Sequence, residues 1–162
     1  MTKKYMSILL VLILIIGTLS GCGGGSSAPA AEDGPIKIGT IQPISGPVSI
    51  YGIMSQQGIE LAIKEINEAG GVLGRQLELV VEDDEANPEK TKNAFTKLVT
   101  NDGVVAIIGA LTSKSTLAIT ADAQARKIPL ITHASTNDTV TDAGDYIFRS
   151  CYNDSFQGTV VA

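Results

Sequence analysis

The sequence contains few of the residues on which catalytic sites depend. It has one histidine, His133, and two cysteines among 162 residues. No Gly-x-Ser-x-Gly elbow is present to expose a serine nucleophile. His133 paired with Ser113 as a base would also need a positioned partner, which the sequence does not offer. We therefore expect a protein that is not an enzyme.

Glycine patterns typical of nucleotide-binding loops are also missing. Lys114 and Ser115 match the end of a phosphate-binding loop, but Ser113 stands where that loop requires glycine. No Gly-x-Gly-x-x-Gly follows the first predicted strand, which argues against a dinucleotide. The acidic run 83–85 lacks metal-ligand spacing and is better explained as a solvated cluster before a helix N-terminus. We expect no cofactor and no metal.

Clusters of basic residues are absent. Without residues 1–21, the chain has 10 basic and 17 acidic residues, a net charge of −7. An acidic body with no basic cluster excludes nucleic acid as an expected partner. Beyond Cys22 the only cysteine is Cys151, so no intramolecular disulfide framework is expected and stability must come from a core.

The N-terminus has the pattern of an export signal. Lys3 and Lys4 precede an apolar stretch centred on residues 8–16, which is shorter than the roughly 20 residues of a membrane-spanning helix. Residues 19–22 (Leu-Ser-Gly-Cys) resemble a bacterial lipobox, in which the signal is cut before a cysteine that carries a diacylglycerol. We expect a lipoprotein signal peptide at 1–21. The alternative is an ordinary signal peptide with an incidental cysteine.

Two further expectations concern the segment that follows. Cys22 is the expected lipid attachment site and membrane anchor, because acyl chains hold a protein at a bilayer. Residues 22–35 are rich in Gly, Ser and Ala, which predicts a flexible tether between that anchor and the folded body.

The remaining chain alternates strand and helix patterns with short links. Predicted strands lie at 36–41, 77–81, 104–108, 129–131 and 146–149. Predicted helices lie at 52–68, from Asn87-Pro88 to 101–103, at 117–127 and from Asp154 onward. This alternation predicts an α/β fold with a doubly wound parallel sheet, whose ligands bind at the carboxyl ends of the strands.

Residues 104–116 (VVAIIGALTSKST) contain the strongest site signal. The apolar run 104–108 predicts a strand buried on both faces, and Gly109 allows a sharp turn after it. Four hydroxyl residues follow where the next helix is predicted to begin. The free N–H groups and the positive end of the helix dipole predict a binding site for a carboxylate or phosphate. The alternative is that Ser113 or Ser115 only caps the helix.

Several segments, in this order and spacing, resemble the leucine/isoleucine/valine-binding family, the type I periplasmic binding proteins of ABC importers. They are Pro43-Ile44-Ser45-Gly46-Pro47, Tyr51-Gly52, Ala69-Gly70-Gly71-Val72-Leu73-Gly74, Ile108-Gly109 with Thr112-Ser113, Ala134-Ser135-Thr136-Asn137, and Phe148-Arg149. The resemblance implies a first ligand-binding lobe at 36–148 and a crossover and start of a second lobe at 149–162. We expect an N-terminal fragment whose second lobe is almost entirely missing.

The resemblance also implies an amino-acid site. Ser113 corresponds to the serine that binds the ligand carboxylate, and Ala134 to the small residue whose carbonyl accepts from the ligand ammonium. Thr136 corresponds to a threonine that contacts both groups. The remaining expected ligand-binding residues are Thr112, Ser135 and the aromatic Tyr51.

The function implied is that of a solute-binding lipoprotein on the extracytoplasmic face of the cell membrane. It would capture an amino acid, of the branched-chain kind, and deliver it to ABC permease subunits. The alternative is a sensory domain of the same fold for amino acids or amides. The choice between a Gram-positive surface and a periplasm stays open, as does the role of His133.

Overall fold

The computed structural model describes residues 34–162, whose helices pack around one sheet. The predicted signal peptide, Cys22 and nearly all of the predicted tether lie outside the described residues. The sheet has five parallel strands in the order β2-β1-β3-β4-β5. The strands are β1 Ile36–Gln42, β2 Leu77–Asp83, β3 Ala106–Gly109, β4 Leu130–Thr132 and β5 Ile147–Arg149. The predicted α/β class and parallel sheet are confirmed.

Three α-helices and two shorter helical turns lie between the strands, and a fourth α-helix follows β5. The α-helices are α1 Ser49–Glu68, α2 Pro88–Lys97, α3 Ser113–Arg126 and α4 Asp154–Val161. A π-helical turn, Leu98–Asp102, continues α2, and a 3₁₀ helix, Asp138–Ala143, precedes β5. None of the helices in the described range has the length and apolar character needed to cross a bilayer.

Sequence signals at the helix ends explain where α2 begins and its π-turn ends. The Asn87 side chain accepts from the amides of Glu89 and Lys90, and Pro88 occupies the first helical position. Gly103 ends the π-turn in the left-handed conformation at φ 71°. Both boundaries agree with the sequence prediction.

Two predicted helix starts are too late. Helix α1 begins at Ser49 rather than at residue 52, and α3 begins at Ser113 rather than at residue 117. For α3 the reason is the cap: the Thr112 hydroxyl accepts from the Ser115 amide, so the run of hydroxyl residues lies inside the first turn.

One face of the sheet, here called the closed face, packs against α2 and α3. Its contacts form the hydrophobic core, in which Phe95, Leu98, Ile107, Ile119 and Leu130 are almost completely buried. Burial of large apolar side chains is the main favourable contribution to folding. The closed face therefore supplies most of the stability of the described unit.

The opposite face, here called the open face, is only partly covered by α1. Between α1 and this face lies an apolar groove of about 730 Å³, lined by residues from all five strands. Ile131 and Phe148 line it and are 40% and 48% exposed. The expectation that residues 104–108 form a strand buried on both faces is wrong. The strand is Ala106–Gly109, and because α1 lies over β1 and β2, Ala106 and Ile108 are only half-buried whereas Ile107 is fully buried on the closed face.

Candidate ligand site at the carboxyl edge of the sheet

A cleft lies at the carboxyl edge of the sheet. Because all five strands are parallel, the loops after β1, β3 and β4 meet at this edge. The cleft has a volume of about 310 Å³ and is lined by Val48, Tyr51, Leu111, Thr112 and Ala134. It therefore brings together three residues that the sequence predicted as ligand-binding: Tyr51 in the first turn of α1, Thr112 after β3 and Ala134 after β4. The Tyr51 side chain is 63% exposed at its mouth.

The N-terminus of α3 offers hydrogen-bond donors at this edge. Thr112 is the cap residue, so neither Ser113 nor Ser115 fills that role. The backbone N–H groups of Ser113 and Lys114 find no acceptor within residues 34–162. Together with the helix dipole, they form a site suited to a negatively charged group.

The loop after β4 offers an acceptor beside these donors. Ala134 is exposed, and its carbonyl accepts no hydrogen bond from the described part of the chain. Thr136 is half-buried, and neither its amide nor its hydroxyl is bonded to any group in residues 34–162. The amide of Asn137 donates to the Ser113 hydroxyl oxygen at 3.3 Å, which joins this loop to the start of α3. The edge thus combines free donors with a free carbonyl.

Ser135 lies beneath the site in a buried cluster of hydroxyl groups. Its Oγ is 2.7 Å from Thr116 Oγ1 and 2.9 Å from Thr132 Oγ1. The carbonyl oxygen of Ala110 accepts from Thr116 at 3.0 Å, from Thr132 at 2.9 Å and from Ser135 at 3.4 Å. All three hydroxyl residues are buried. Ser135 therefore supports the loops after β3 and β4, and its side chain does not line the cleft.

His133 points away from the cleft. Its Nε2 is hydrogen-bonded to the Ser55 hydroxyl on α1, and its ring lines the open-face groove. Nδ1 is buried with no hydrogen-bond partner in residues 34–162. Burial lowers the pKa of His133 below its ordinary value of 6.5. The pairing of His133 with Ser113 considered from the sequence is not formed.

Within the acidic run 83–85, Asp84 is a buried structural residue and not part of a solvated cluster, which corrects the expectation for this residue. The Asp84 carboxylate is completely buried and accepts from the amide of Ala86 at 3.0 Å and from the Thr91 hydroxyl at 2.8 Å. No group of three or more candidate metal-ligating side chains occurs between residues 34 and 162.

Asp83 holds the loop that follows β1. It accepts from the Ser45 hydroxyl at 2.5 Å and from the amides of Ile44 and Glu85 at 3.1 and 3.0 Å. Partial burial acts to raise the pKa of Asp83, but the bonds from Ser45, Glu85 and Ile44 outweigh burial and hold the pKa below its ordinary value. Sequence patterns did not predict this contact between two loops.

Comparison with known proteins shows the family of this chain. The family model described as "Periplasmic binding protein" matches residues 35–162. The chain belongs to this family. The type I lobe predicted from the sequence is thereby confirmed, and this periplasmic binding protein has relatives of both known sequence and known structure.

Among the relatives is the "Leucine-, isoleucine-, valine-, threonine-, and alanine-binding protein" of Pseudomonas aeruginosa. It is 37% identical over 147 residues, which are 90% of this chain and 39% of the relative. The isoleucine complex of the branched-chain amino acid transporter substrate binding protein LivJ from Streptococcus pneumoniae is 39% identical, with a TM-score of 0.75. That match covers 78% of this chain and 36% of LivJ. This chain thus spans less than two fifths of the length of either relative.

A third relative is named for a role in signalling. The "Chemotactic signal transduction system substrate-binding protein BasB" of Halobacterium salinarum is 31% identical over 135 residues, which are 79% of this chain and 33% of that protein. All three relatives are named as binding proteins and not as enzymes, which agrees with the expectation of a non-catalytic protein.

Proposed function

We propose that this chain contributes the first lobe of an extracytoplasmic solute-binding protein that captures an amino acid and delivers it to the permease of an ABC importer. A branched-chain amino acid is the proposed ligand. The names of the Pseudomonas and Streptococcus relatives support this choice.

The observation that carries the proposal is the pairing of opposite polarities at one edge. The Ser113 and Lys114 amides and the dipole of α3 suit a carboxylate. The exposed carbonyl of Ala134 suits an ammonium group, and the amide and hydroxyl of Thr136 lie beside it in the chain. A ligand that carries both charges on neighbouring atoms, as an α-amino acid does, would use both sets at once.

In this proposal Tyr51 and Thr112 line the approach to the ligand, and Ser135 supports the two loops from below.

The domain limits stay as proposed from the sequence: a signal peptide at 1–21, a tether at 22–35, the ligand lobe at 36–148 and the start of a second lobe at 149–162. Cys22 is the proposed lipid attachment site, which would place the protein on the extracytoplasmic face of the membrane. A Cys22→Ser variant is then expected to move from the detergent phase to the aqueous phase on phase partitioning.

Calorimetric titration of the full-length gene product with a panel of amino acids tests the binding site. We expect one amino acid to bind, and Ser113→Ala and Thr136→Ala to weaken binding by about 1.5 to 3 kcal/mol each, because each removes a bond to a charged group. Thr100→Ala is the control, since the Thr100 hydroxyl bonds to Thr96 O at the opposite edge of the sheet. Parent-like binding by both site variants would contradict the proposed site.

The second candidate is a sensory role in which the same lobe reports an amino acid to a signalling partner. The chemotactic signal transduction role named for BasB supports this second candidate. Uptake of labelled amino acid by cells that lack the gene discriminates the two. Unchanged uptake together with a lost chemotactic response would support the sensory role.

A further inference from the structure

Three consecutive carbonyl groups in the loop after β4 accept hydrogen bonds from one later segment of the chain. Arg149 Nη1 donates to the carbonyl oxygen of Asn137 at 2.7 Å and to that of Ser135 at 3.4 Å. The backbone amide of Asp154 donates to the carbonyl oxygen of Thr136, between them, at 2.9 Å. The donors therefore lie between the last residue of β5 and the first residue of α4.

Because the peptide unit is planar, these bonds to the carbonyl groups also fix where the N–H groups of Thr136 and Asn137 point. In a trans peptide unit, the C=O and the following N–H point in opposite directions. The unit whose C=O accepts from Asp154 has its N–H, that of Asn137, donating to Ser113 Oγ at 3.3 Å. By the same rule, a Ser135 carbonyl held toward Arg149 directs the Thr136 N–H away from Arg149.

Arg149 is the strongest donor to this loop. Its guanidinium is half-buried and permanently charged, and bonds from a charged donor are about twice as strong as neutral ones. The other side-chain donor to the Ser135 carbonyl is the Cys151 thiol at 3.6 Å, a weak donor. Loss of the guanidinium would therefore leave the Asn137 carbonyl without its donor and the Ser135 carbonyl with only the weak thiol donor.

We propose that Arg149 is a positioning residue of the amino-acid site. Its guanidinium holds the Ser135 and Asn137 carbonyls so that the Thr136 amide faces the ligand carboxylate and the Asn137 amide keeps the Ser113 hydroxyl oriented. The proposal rests on the proposed function and deepens it, because Arg149 acts through the loop and does not contact the amino acid. It also connects the site to the segment that leads from β5 into α4.

The test compares three variants of the full-length gene product by calorimetry with leucine, isoleucine and valine. Arg149→Met is expected to weaken binding roughly 10- to 100-fold, the effect of losing bonds from a charged donor. Arg149→Lys should recover part of the loss, because an ammonium still donates to a carbonyl. Arg75→Met is the matched control, since Arg75 also donates to two backbone carbonyls, those of Gly34 and Pro35, outside the site.

A second measurement does not depend on ligand. In the ligand-free protein, NMR hydrogen exchange of the Asn137 amide should accelerate at least about tenfold in Arg149→Met, because the loop then opens more often. The same amide should exchange at the parent rate in Arg75→Met. Circular dichroism spectra confirm that each variant is folded, and Arg149→Lys supplies both measurements if Arg149→Met does not fold.

The outcomes separate this proposal from the proposed function. Weak binding and fast exchange in Arg149→Met, partial rescue by lysine and a parent-like Arg75→Met support the positioning role. Parent-like binding in Arg149→Met, or equal losses in the Arg149 and Arg75 variants, would overturn it. If the parent binds no amino acid, the proposed function fails, and unchanged Asn137 exchange in Arg149→Met would separately overturn the positioning role.

Discussion

The two faces of the sheet differ sharply although the same strands form both. Along β4, Leu130 is completely buried on the closed face and the next residue, Ile131, is 40% exposed on the open face. Along β5, Ile147 is buried and Phe148 is 48% exposed. Successive side chains of a strand point to opposite faces, so the difference reflects what covers each face rather than composition.

The comparison shows which face holds the ligand loops in place. Thr132 and Arg149, which bond to Ser135 and Asn137 in the loop after β4, belong to the closed-face alternation of their strands. His133 follows the open-face alternation and bonds to α1 instead. The predicted site is thus supported by the well-packed face, where the core keeps its supports rigid.

The largest effect is expected from a pair of matched truncations. Phe95→Ala, on the closed face, should lower the free energy of unfolding by about 3–5 kcal/mol, because it removes a buried ring and leaves a cavity. Phe148→Ala, on the open face, should cost about 1 kcal/mol. Urea denaturation of both variants measures the difference. Equal losses would show that the open face is covered in solution, and the difference between the two faces would then not hold.

A second comparison uses two glycines with positive φ. A Cβ at Gly109, at the carboxyl end of β3, would lie 2.3 Å from the carbonyl oxygen of Ile41, and φ there is 123°. Gly109→Ala should therefore cost about 2–3 kcal/mol. Gly103, at φ 71°, has no atom within 4 Å of such a Cβ, and Gly103→Ala should cost about 1 kcal/mol. Thermal unfolding measures both, and equal costs would mean that the contact with β1 is unimportant.

A smaller, pH-dependent effect on the free energy of unfolding is expected from His133, on the open face. Because burial lowers the pKa of His133, the unfolded chain binds a proton more readily than the folded one as the pH falls below about 6.5. The free energy of unfolding should therefore decrease from that pH down through the lowered pKa. His133→Gln should flatten this decrease, whereas Ser55→Ala, which keeps the imidazole, should retain a decrease. Parallel curves for His133→Gln and the parent would contradict the buried imidazole.

The smallest effect on the free energy of unfolding is expected from replacement of Asp83. Its pKa is held below 3.8, so its contribution to stability is present above that pH and is lost as the pH falls through the lowered value. Asp83→Asn should cost no more than about 1 kcal/mol at neutral pH, because the carboxylate is well solvated. Acid denaturation curves of Asp83→Asn are compared with those of Ser45→Ala, which removes one hydrogen-bond donor to Asp83 and keeps the charge. A steeper acid transition in Asp83→Asn would contradict this account.

The succession of strands and helices along the chain and the place of the candidate site follow from the sequence because they depend on repeating signals. Alternating apolar patterns and helix-end signals such as Asn87-Pro88 and Gly103 act locally, and parallel strands bring their carboxyl ends together wherever they pair. The cleft at this edge contains Tyr51, Thr112 and Ala134, as a prediction based on loops alone requires.

The remaining features depend on contacts between distant residues. Which of several adjacent hydroxyls caps α3 is decided by side-chain geometry, and this moved its start to Ser113. Asp84 carries a charge that indicates exposure, yet the Thr91 hydroxyl and a turn amide satisfy it in the interior. Arg149 bonds to carbonyls 12 and 14 residues earlier, and backbone carbonyls leave no pattern in a sequence.

The carbonyl of Ala110 has a consequence for how this protein varies among its relatives. Thr116, Thr132 and Ser135, from three parts of the chain, share this single acceptor. Replacing one of them by an apolar residue leaves the other two to rearrange their protons in a space closed to water. We expect these three positions to covary in an alignment of homologues, whereas residues at the cleft surface change independently as ligand preference diverges.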